Sequence, residues 1–406
     1  MVLIKNAVET LGYFSAQLAA EFELLGYEIY WIDYDDLYVS MEGVERFLGR
    51  GKTALVTFNF IGLSGEEIFL DEKAGSLWER YDVRVFCVLA DHPMYYHRQL
   101  VSPVRNLTVF CVDRGHVRYV QRFYPGTEAA FLPLAGNVCG SKVELLRLQG
   151  GNRQAVLAPL PYRERRYGVL FTANYVPPDM FAGKLTELGA EYEGFYREIL
   201  SDLLEAPEQP LDAVMERHVR TELGAVSEAT MAEALYGMRW LDLLARTLLR
   251  GELVRRIAEA DIPVHVLGAG WERLECKKPE NLVRVGGQVD SATCAAAVQQ
   301  ARIALNVLPW FRDGAHDRIF TAMLQGTLAL TDGSAYLREE FADGKELVYF
   351  SLRKKEELPE LVRSLLDEPE RAGWIAGQGC KKAWERHTWG ERAMQVAAWL
   401  DTVKTE

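Results

Sequence analysis

The sequence predicts an α/β protein built as two parallel-sheet lobes, on three observations. Short apolar runs of strand length recur along the chain, helical or loop segments separate them, and a long helical stretch interrupts the alternation in the second half. Strands alternating with helices imply parallel sheets covered on both faces. In such sheets ligands bind beyond the carboxyl ends of the strands. With 406 residues, 49% hydrophobic and 26% charged, the chain has material for two cores.

Taken in order, Val2 to Lys5 is a strand, Phe14 to Leu25 a helix, and Tyr27 to Asp33 a strand ending in acidic residues. Ala54 to Phe58, Val83 to Leu89, Leu107 to Val112 and Ala129 to Leu134 are further apolar, β-rich runs. Between Gly136 and Arg166 the pattern weakens into glycines, prolines and charges, which marks the connection between domains. A new strand begins at Tyr167, and Asp179 to Ala260 reads as helical. There Tyr236, Trp240, Leu244 and Leu248 form a stripe at spacing four, which predicts core packing ahead of a ligand platform. Alternation returns at Val264 to Leu267, Leu282 to Val285, Ile303 to Val307 and Thr327 to Thr331. A short strand at Leu347 to Phe350 and helices over Glu356–Leu366, Arg371–Arg386 and Glu391–Val403 finish the chain.

Composition narrows the function. A formal charge of −12 with no basic stripe argues against a nucleic-acid binder, while leaving room for a local basic pocket. The six cysteines are scattered without metal or redox spacing, and Cys87 and Cys111 lie inside strand-like runs, where a thiol is a small core residue. The amino terminus lacks a signal-peptide pattern, and no apolar run approaches the ~18 residues of a spanning helix, so a cytoplasmic location is expected.

The richest segment is Ile303 to Asp332, a strand, loop, helix and strand with charged residues crowded where the helix begins. A helix start beyond a strand's carboxyl end offers free N–H groups and a positive dipole end to an anion. Arg312, His316 and Arg318 add donors suited to phosphate, although an ordinary crossover helix with a charged start fits the pattern too. Asp91 and His92 follow a buried strand and would supply a general base; equally, Asp91 would cap a helix with Pro93 in its first turn. Gly268-Ala269-Gly270 has Arg273 at the third fingerprint position, which leaves a tight turn and no dinucleotide motif. Asp33-Tyr34-Asp35 has a metal-binding spacing but no further ligands near it in sequence, and no zinc pattern is present.

Residues 303–350, with Asp91 to His97 (DHPMYYH), Phe171 to Pro178 (FTANYVPP) and His387 to Ala393 (HTWGERA), carry a resemblance. The first block looks like the carboxyl-terminal segment of the CgeB-like glycosyltransferases, named after a spore maturation protein. The others resemble segments of bacterial proteins in which that block follows an amino-terminal domain. The resemblance implies the GT-B fold: two Rossmann-like domains facing across a cleft, here with a helical elaboration in the second. The expected domains are 1–160 on the acceptor side and 161–387 on the donor side, with residues 388–406 packing back on the first.

The same resemblance implies transfer of a sugar from a nucleotide-diphosphate sugar to an acceptor hydroxyl, with no metal and no other cofactor. Expected donor-site residues are Asn174, Gly286, Gly287, Gln288, Arg312, Asp313, Gly314, His316, Asp317, Arg318 and Thr321, with Arg318 also catalytic beside Asp91 and His92. Many relatives carry a glutamate at each end of the span that corresponds to 313–321. Asp313 retains a carboxylate there, and Thr321 does not, so it cannot grip ribose in bidentate fashion. A nucleotide-sugar epimerase or phosphorylase on the same fold, or a two-lobed binding protein without chemistry, are the rival readings. No nucleic-acid partner is expected, and the acceptor is not legible.

Overall fold

Strands β1 (Val2–Lys5), β2 (Tyr30–Asp33), β3 (Ala54–Phe58), β6 (Arg84–Leu89), β7 (Leu107–Cys111) and β8 (Glu128–Phe131) form one all-parallel sheet in the order β2-β1-β3-β6-β7-β8. Between β3 and β6 a small antiparallel hairpin, β4 (Leu70–Asp71) and β5 (Gly75–Ser76), is an addition the sequence pattern did not signal. A second all-parallel sheet contains β9 (Tyr167–Thr172), β10 (Val264–Leu267), β11 (Leu282–Gly286), β12 (Ala301–Asn306), β13 (Leu328–Asp332) and β14 (Val348–Phe350), in the order β11-β10-β9-β12-β13-β14. This structure, a computed structural model, describes residues 1–71, 75–138 and 159–402. Most of the connection expected between Gly136 and Arg166, together with Cys139 and residues 403–406 of the segment expected to pack back on the first domain, lies outside the described residues.

The described residues divide into two compact units. One runs to residue 138 and resumes at Arg386; the other runs from residue 159 to Glu385. Continuous apolar strands are what a sheet covered on both faces requires, and β3, β7 and β13 are buried at every position. Cys87 and Cys111 are fully buried core residues whose thiols burial pushes up, that of Cys87 to about 12.

Strand order places a switch point in each sheet. In the first unit the direction of succession reverses between β1 and β3; in the second it reverses between β9 and β12, the Rossmann arrangement. The helical elaboration consists of Ala190–Glu205, Leu211–Leu223, Glu228–Gly237 and Trp240–Glu259. The expected stripe is split there, because Tyr236 belongs to one helix and Trp240 opens the next. Leu244 is buried and Trp240 packs edge-on against Tyr196 at 5.1 Å, so the stripe is packing surface.

The final helix, Trp389–Thr402, belongs to the first unit. Trp389 Nε1 donates to Asn137 Oδ1 at 2.9 Å, and its ring lies 5.1 Å from that of Phe14 on the helix Glu9–Leu24. The backbone N–H of Gly136 donates to the carbonyl of His387 at 2.9 Å.

Candidate active site

In the second unit the loops beyond β9, β11 and β12 carry most of the expected donor residues. Arg318 sits at the switch point, where its Nη1 donates to the carbonyl of Thr172, the last residue of β9, at 3.0 Å. Just past that residue, the Asn174 side chain accepts from the N–H of Ala269 at 2.9 Å and is otherwise exposed. Gly268 and Gly270 form the tight turn the sequence indicated. They have φ of +143° and +87°, and a Cβ would come within 2.2 Å of the Ala173 carbonyl oxygen and 1.9 Å of that of Tyr175. Only glycine permits that approach. Trp271 locks the turn from below, donating to the Ala173 carbonyl at 2.7 Å and stacking on Tyr175. Gly286 closes β11 and accepts from the N–H of Gly268 at 3.3 Å, while Gly287 and Gln288 beyond it are exposed.

The loop between β12 and the helix Asp317–Leu324 is pinned to the end of β13. Arg312 donates to Asp332 Oδ2 at 2.9 Å and to the Leu308 carbonyl, and the Leu308 N–H donates to Asp332 Oδ1 at 2.5 Å. Ser334 Oγ donates to the Gly314 carbonyl at 2.6 Å. Arg312 is therefore engaged in holding the loop, while Asp313 and Gly314 form its turn. His316 caps the helix. Its Nδ1 lies between the Asp317 carboxylate and the Arg318 N–H, and it can donate to the first only by ceasing to accept from the second. Burial, with Arg318 adding, holds the imidazole below its usual pKa. Burial works against the Asp317 charge, but His316 and Arg318 outweigh it and keep the carboxyl below its usual range. Thr321 lies one turn further and is 6% exposed.

Sequence reasoning missed two residues here. Arg246 and Arg250, on the helix Trp240–Glu259, lie close enough to Arg318 for the three guanidinium groups to repel one another. Arg246 is paired with Asp242. Arg250 has no hydrogen bond or ion pair among the described residues, and its Nε and that of Arg318 are buried without partners. Burial first, then Arg318 and Arg246, hold the Arg250 guanidinium well below its usual pKa. Nothing in the spacing of Arg250 within a helix separates it from a solvated charge; only the fold brings it to Arg318. Unpaired buried charge of one sign is unfavourable unless an opposite charge joins it.

In the first unit, Asp91 follows β6 and receives hydrogen bonds at Oδ2 from Asn59 Nδ2 at 3.2 Å and from the Tyr96 hydroxyl at 3.4 Å. The helix cap expected of Asp91 falls instead to His92, whose Nδ1 accepts from the Met94 N–H at 3.1 Å ahead of the 3₁₀ turn Pro93–Tyr96. His92 is buried with its ring 4.4 Å from that of His116. Asp33 of the expected metal spacing pairs with Lys5 at 3.0 Å and Asn6 at 2.7 Å. No group of three or more His, Cys, Asp or Glu suited to a metal ion occurs among the described residues.

Each unit is thus built on an all-parallel sheet, and the second carries a basic cluster at its switch point, an arrangement chemically suited to an anion. Residues 246–398 match the Glycosyl transferase-like family. No curated protein matches the sequence. Among solved structures, a sucrose-phosphate synthase from Thermosynechococcus elongatus is similar over 99% of this chain and 98% of its own, at 11% identity and a TM-score of 0.51. HepE from Anabaena, in complex with UDP-glucose, is similar over 99% of both chains at 11% identity and 0.52. A glycosyltransferase from Rickettsia africae is similar over 100% of this chain and 98% of its own, at 8% identity and 0.53. These likenesses establish the GT-B fold expected from the sequence. No helix among the described residues is long and apolar enough to cross a membrane.

Proposed function

We propose that the protein is a cytoplasmic glycosyltransferase of the CgeB-like branch, which moves a sugar from a nucleotide-diphosphate sugar to an acceptor hydroxyl without a metal ion. The observation that carries the reading is the cluster of Arg250 and Arg318 at the Rossmann switch point, within the segment that matches the Glycosyl transferase-like family. The UDP-glucose bound by HepE makes a uridine donor the first to try. In this mechanism the second unit holds the donor and the first holds the acceptor. The two guanidinium groups bind the diphosphate and stabilise the charge it gains as the glycosidic bond breaks. They would supply the positive charge that other enzymes take from a cation. Asn174, Gly287 and Gln288 border the base and ribose. Arg312 contributes by holding the loop, and Asp313 faces the sugar hydroxyls. Thr321, buried and without a carboxylate, leaves ribose recognition to the exposed loops.

Thermal unfolding against UDP, GDP, ADP, CDP and dTDP, in chelator and then in magnesium, tests this. At a hundred times its dissociation constant a ligand stabilises by about 2.7 kcal/mol, a shift of a few degrees. One nucleotide should shift the midpoint in chelator, and Arg318→Ala should abolish both the shift and most turnover. A shift that appears only with magnesium would overturn the metal-free mechanism, and no shift at all would overturn the donor site.

A further inference from the structure

Two consecutive residues that are not glycine, Asn59 and Phe60, have φ of +51° and +60° directly after β3. A bulky residue such as phenylalanine is a rare occupant of the left-handed region, and such strain persists only where surrounding contacts enforce it. Here they do so on both sides. Asn59 Oδ1 accepts from the Ala90 N–H at 2.9 Å, which turns its Nδ2 toward Asp91 Oδ2 at 3.2 Å. Phe60 is buried, its N–H donates to the Cys87 sulfur at 3.2 Å, and its ring lies 5.7 Å from that of Tyr96. The Tyr96 hydroxyl in turn donates to the same Oδ2 at 3.4 Å. The strained pair thus sets both groups that hold one oxygen of Asp91. Its other oxygen, Oδ1, makes no hydrogen bond among the described residues and is free to accept one.

We propose that Asn59 and Tyr96 are positioning residues for Asp91, which takes the acceptor's proton in glycosyl transfer. This rests on the transferase reading above. As the acceptor oxygen bonds to the anomeric carbon, its proton passes to Asp91 Oδ1. The bond from that carbon to the diphosphate breaks, and its electron pair leaves with the diphosphate. Holding Oδ2 by two donors keeps Oδ1 aimed and keeps the carboxylate from turning its occupied oxygen to the acceptor. His92 is excluded from this task by its burial and by the capping bond at its Nδ1.

The test uses water as acceptor, so the natural one need not be known. Release of nucleoside diphosphate from UDP-, GDP-, ADP-, CDP- and dTDP-glucose is followed for the wild type, Asn59→Gly, Tyr96→Phe and Asp91→Asn, and for the last combined with each of the first two. Glycine suits φ +51°, so Asn59→Gly removes the amide without threatening the turn. We expect it to lower kcat about tenfold, with the donor KM and the nucleotide-induced thermal shift unchanged, and Tyr96→Phe to lower kcat severalfold. Neither should reduce the residual rate of Asp91→Asn any further, because residues acting through one group are not additive. Wild-type kcat in Asn59→Gly, or losses that add fully to that of Asp91→Asn, would overturn the positioning role while nucleotide binding kept the transferase reading intact. Absence of nucleotide binding in the wild type would overturn both.

Discussion

Arg250 is the residue where the fold works against stability. Its guanidinium lies among Arg246 and Arg318, its Nε is buried without a partner, and the nearby Asp242 and Asp332 are engaged with Arg246 and Arg312. Replacing such a charge by an apolar side chain relieves repulsion and desolvation. Arg250→Leu should therefore unfold at the same temperature as the wild type or a few degrees higher, a gain of about 1 kcal/mol. It should also lose the thermal shift induced by a nucleoside diphosphate. Differential scanning calorimetry with and without ligand reads both effects; a large loss of stability in the free protein would show Arg250 to be structural. This candidate site was half legible. Arg318 announced itself because it stands within a few residues of a helix start, a local pattern. Arg250 is distant from it in sequence and sits on a helix where charged residues ordinarily face water, so only tertiary structure unites them. Asn59 was hidden for another reason: a left-handed backbone at asparagine and phenylalanine has no signature in periodicity.

At the scale of elements, the sheets were the most legible feature. Ala54–Phe58 and Val2–Lys5 coincide with strands to the residue, because a strand buried on both faces is a run of apolar residues with abrupt polar ends. The helix Trp240–Glu259 was legible as helix, but its separation from Glu228–Gly237 was not, since tertiary packing sets that break. Loop geometry was legible only at the Gly268–Gly270 turn, where the residue type itself carries the information. That turn supports the loops beyond β9 and β11 together. Gly270→Ala would set a Cβ against the Tyr175 carbonyl at φ +87°, where strain and clash combine. The expected cost is about 2–4 kcal/mol, read as a lower urea midpoint at unchanged slope. Nucleotide binding should weaken as well, because the Asn174 amide accepts from Ala269 in the same turn.

At the scale of the molecule, three histidines give stability a common pH dependence. His116, His265 and His316 are each held below the usual histidine pKa, in every case chiefly by burial. The unfolded chain therefore takes up protons before the folded protein does. Their contribution is fully present above the unfolded value of about 6.5 and declines as pH falls below it, before carboxylates protonate. The unfolding midpoint should drop between about pH 6.5 and pH 5. His316→Asn, which retains a capping side chain, should flatten part of that slope; an identical slope in the variant would remove His316 from the account.

The helix Trp389–Thr402 also bears on the order in which the chain can fold during synthesis. The first unit is translated first but lacks a wall of its core until Trp389 has cleared the ribosome, whereas the second unit is complete at Glu385. The earlier-made half therefore cannot complete its core until the whole of the later-made half has been synthesised. The earlier half, with Phe14 and Phe58 awaiting the ring of Trp389, stays dependent on a segment made after the whole of the second unit. A nascent chain stalled before that point would expose these aromatic rings, and quality control would meet the amino-terminal half as the unfinished one.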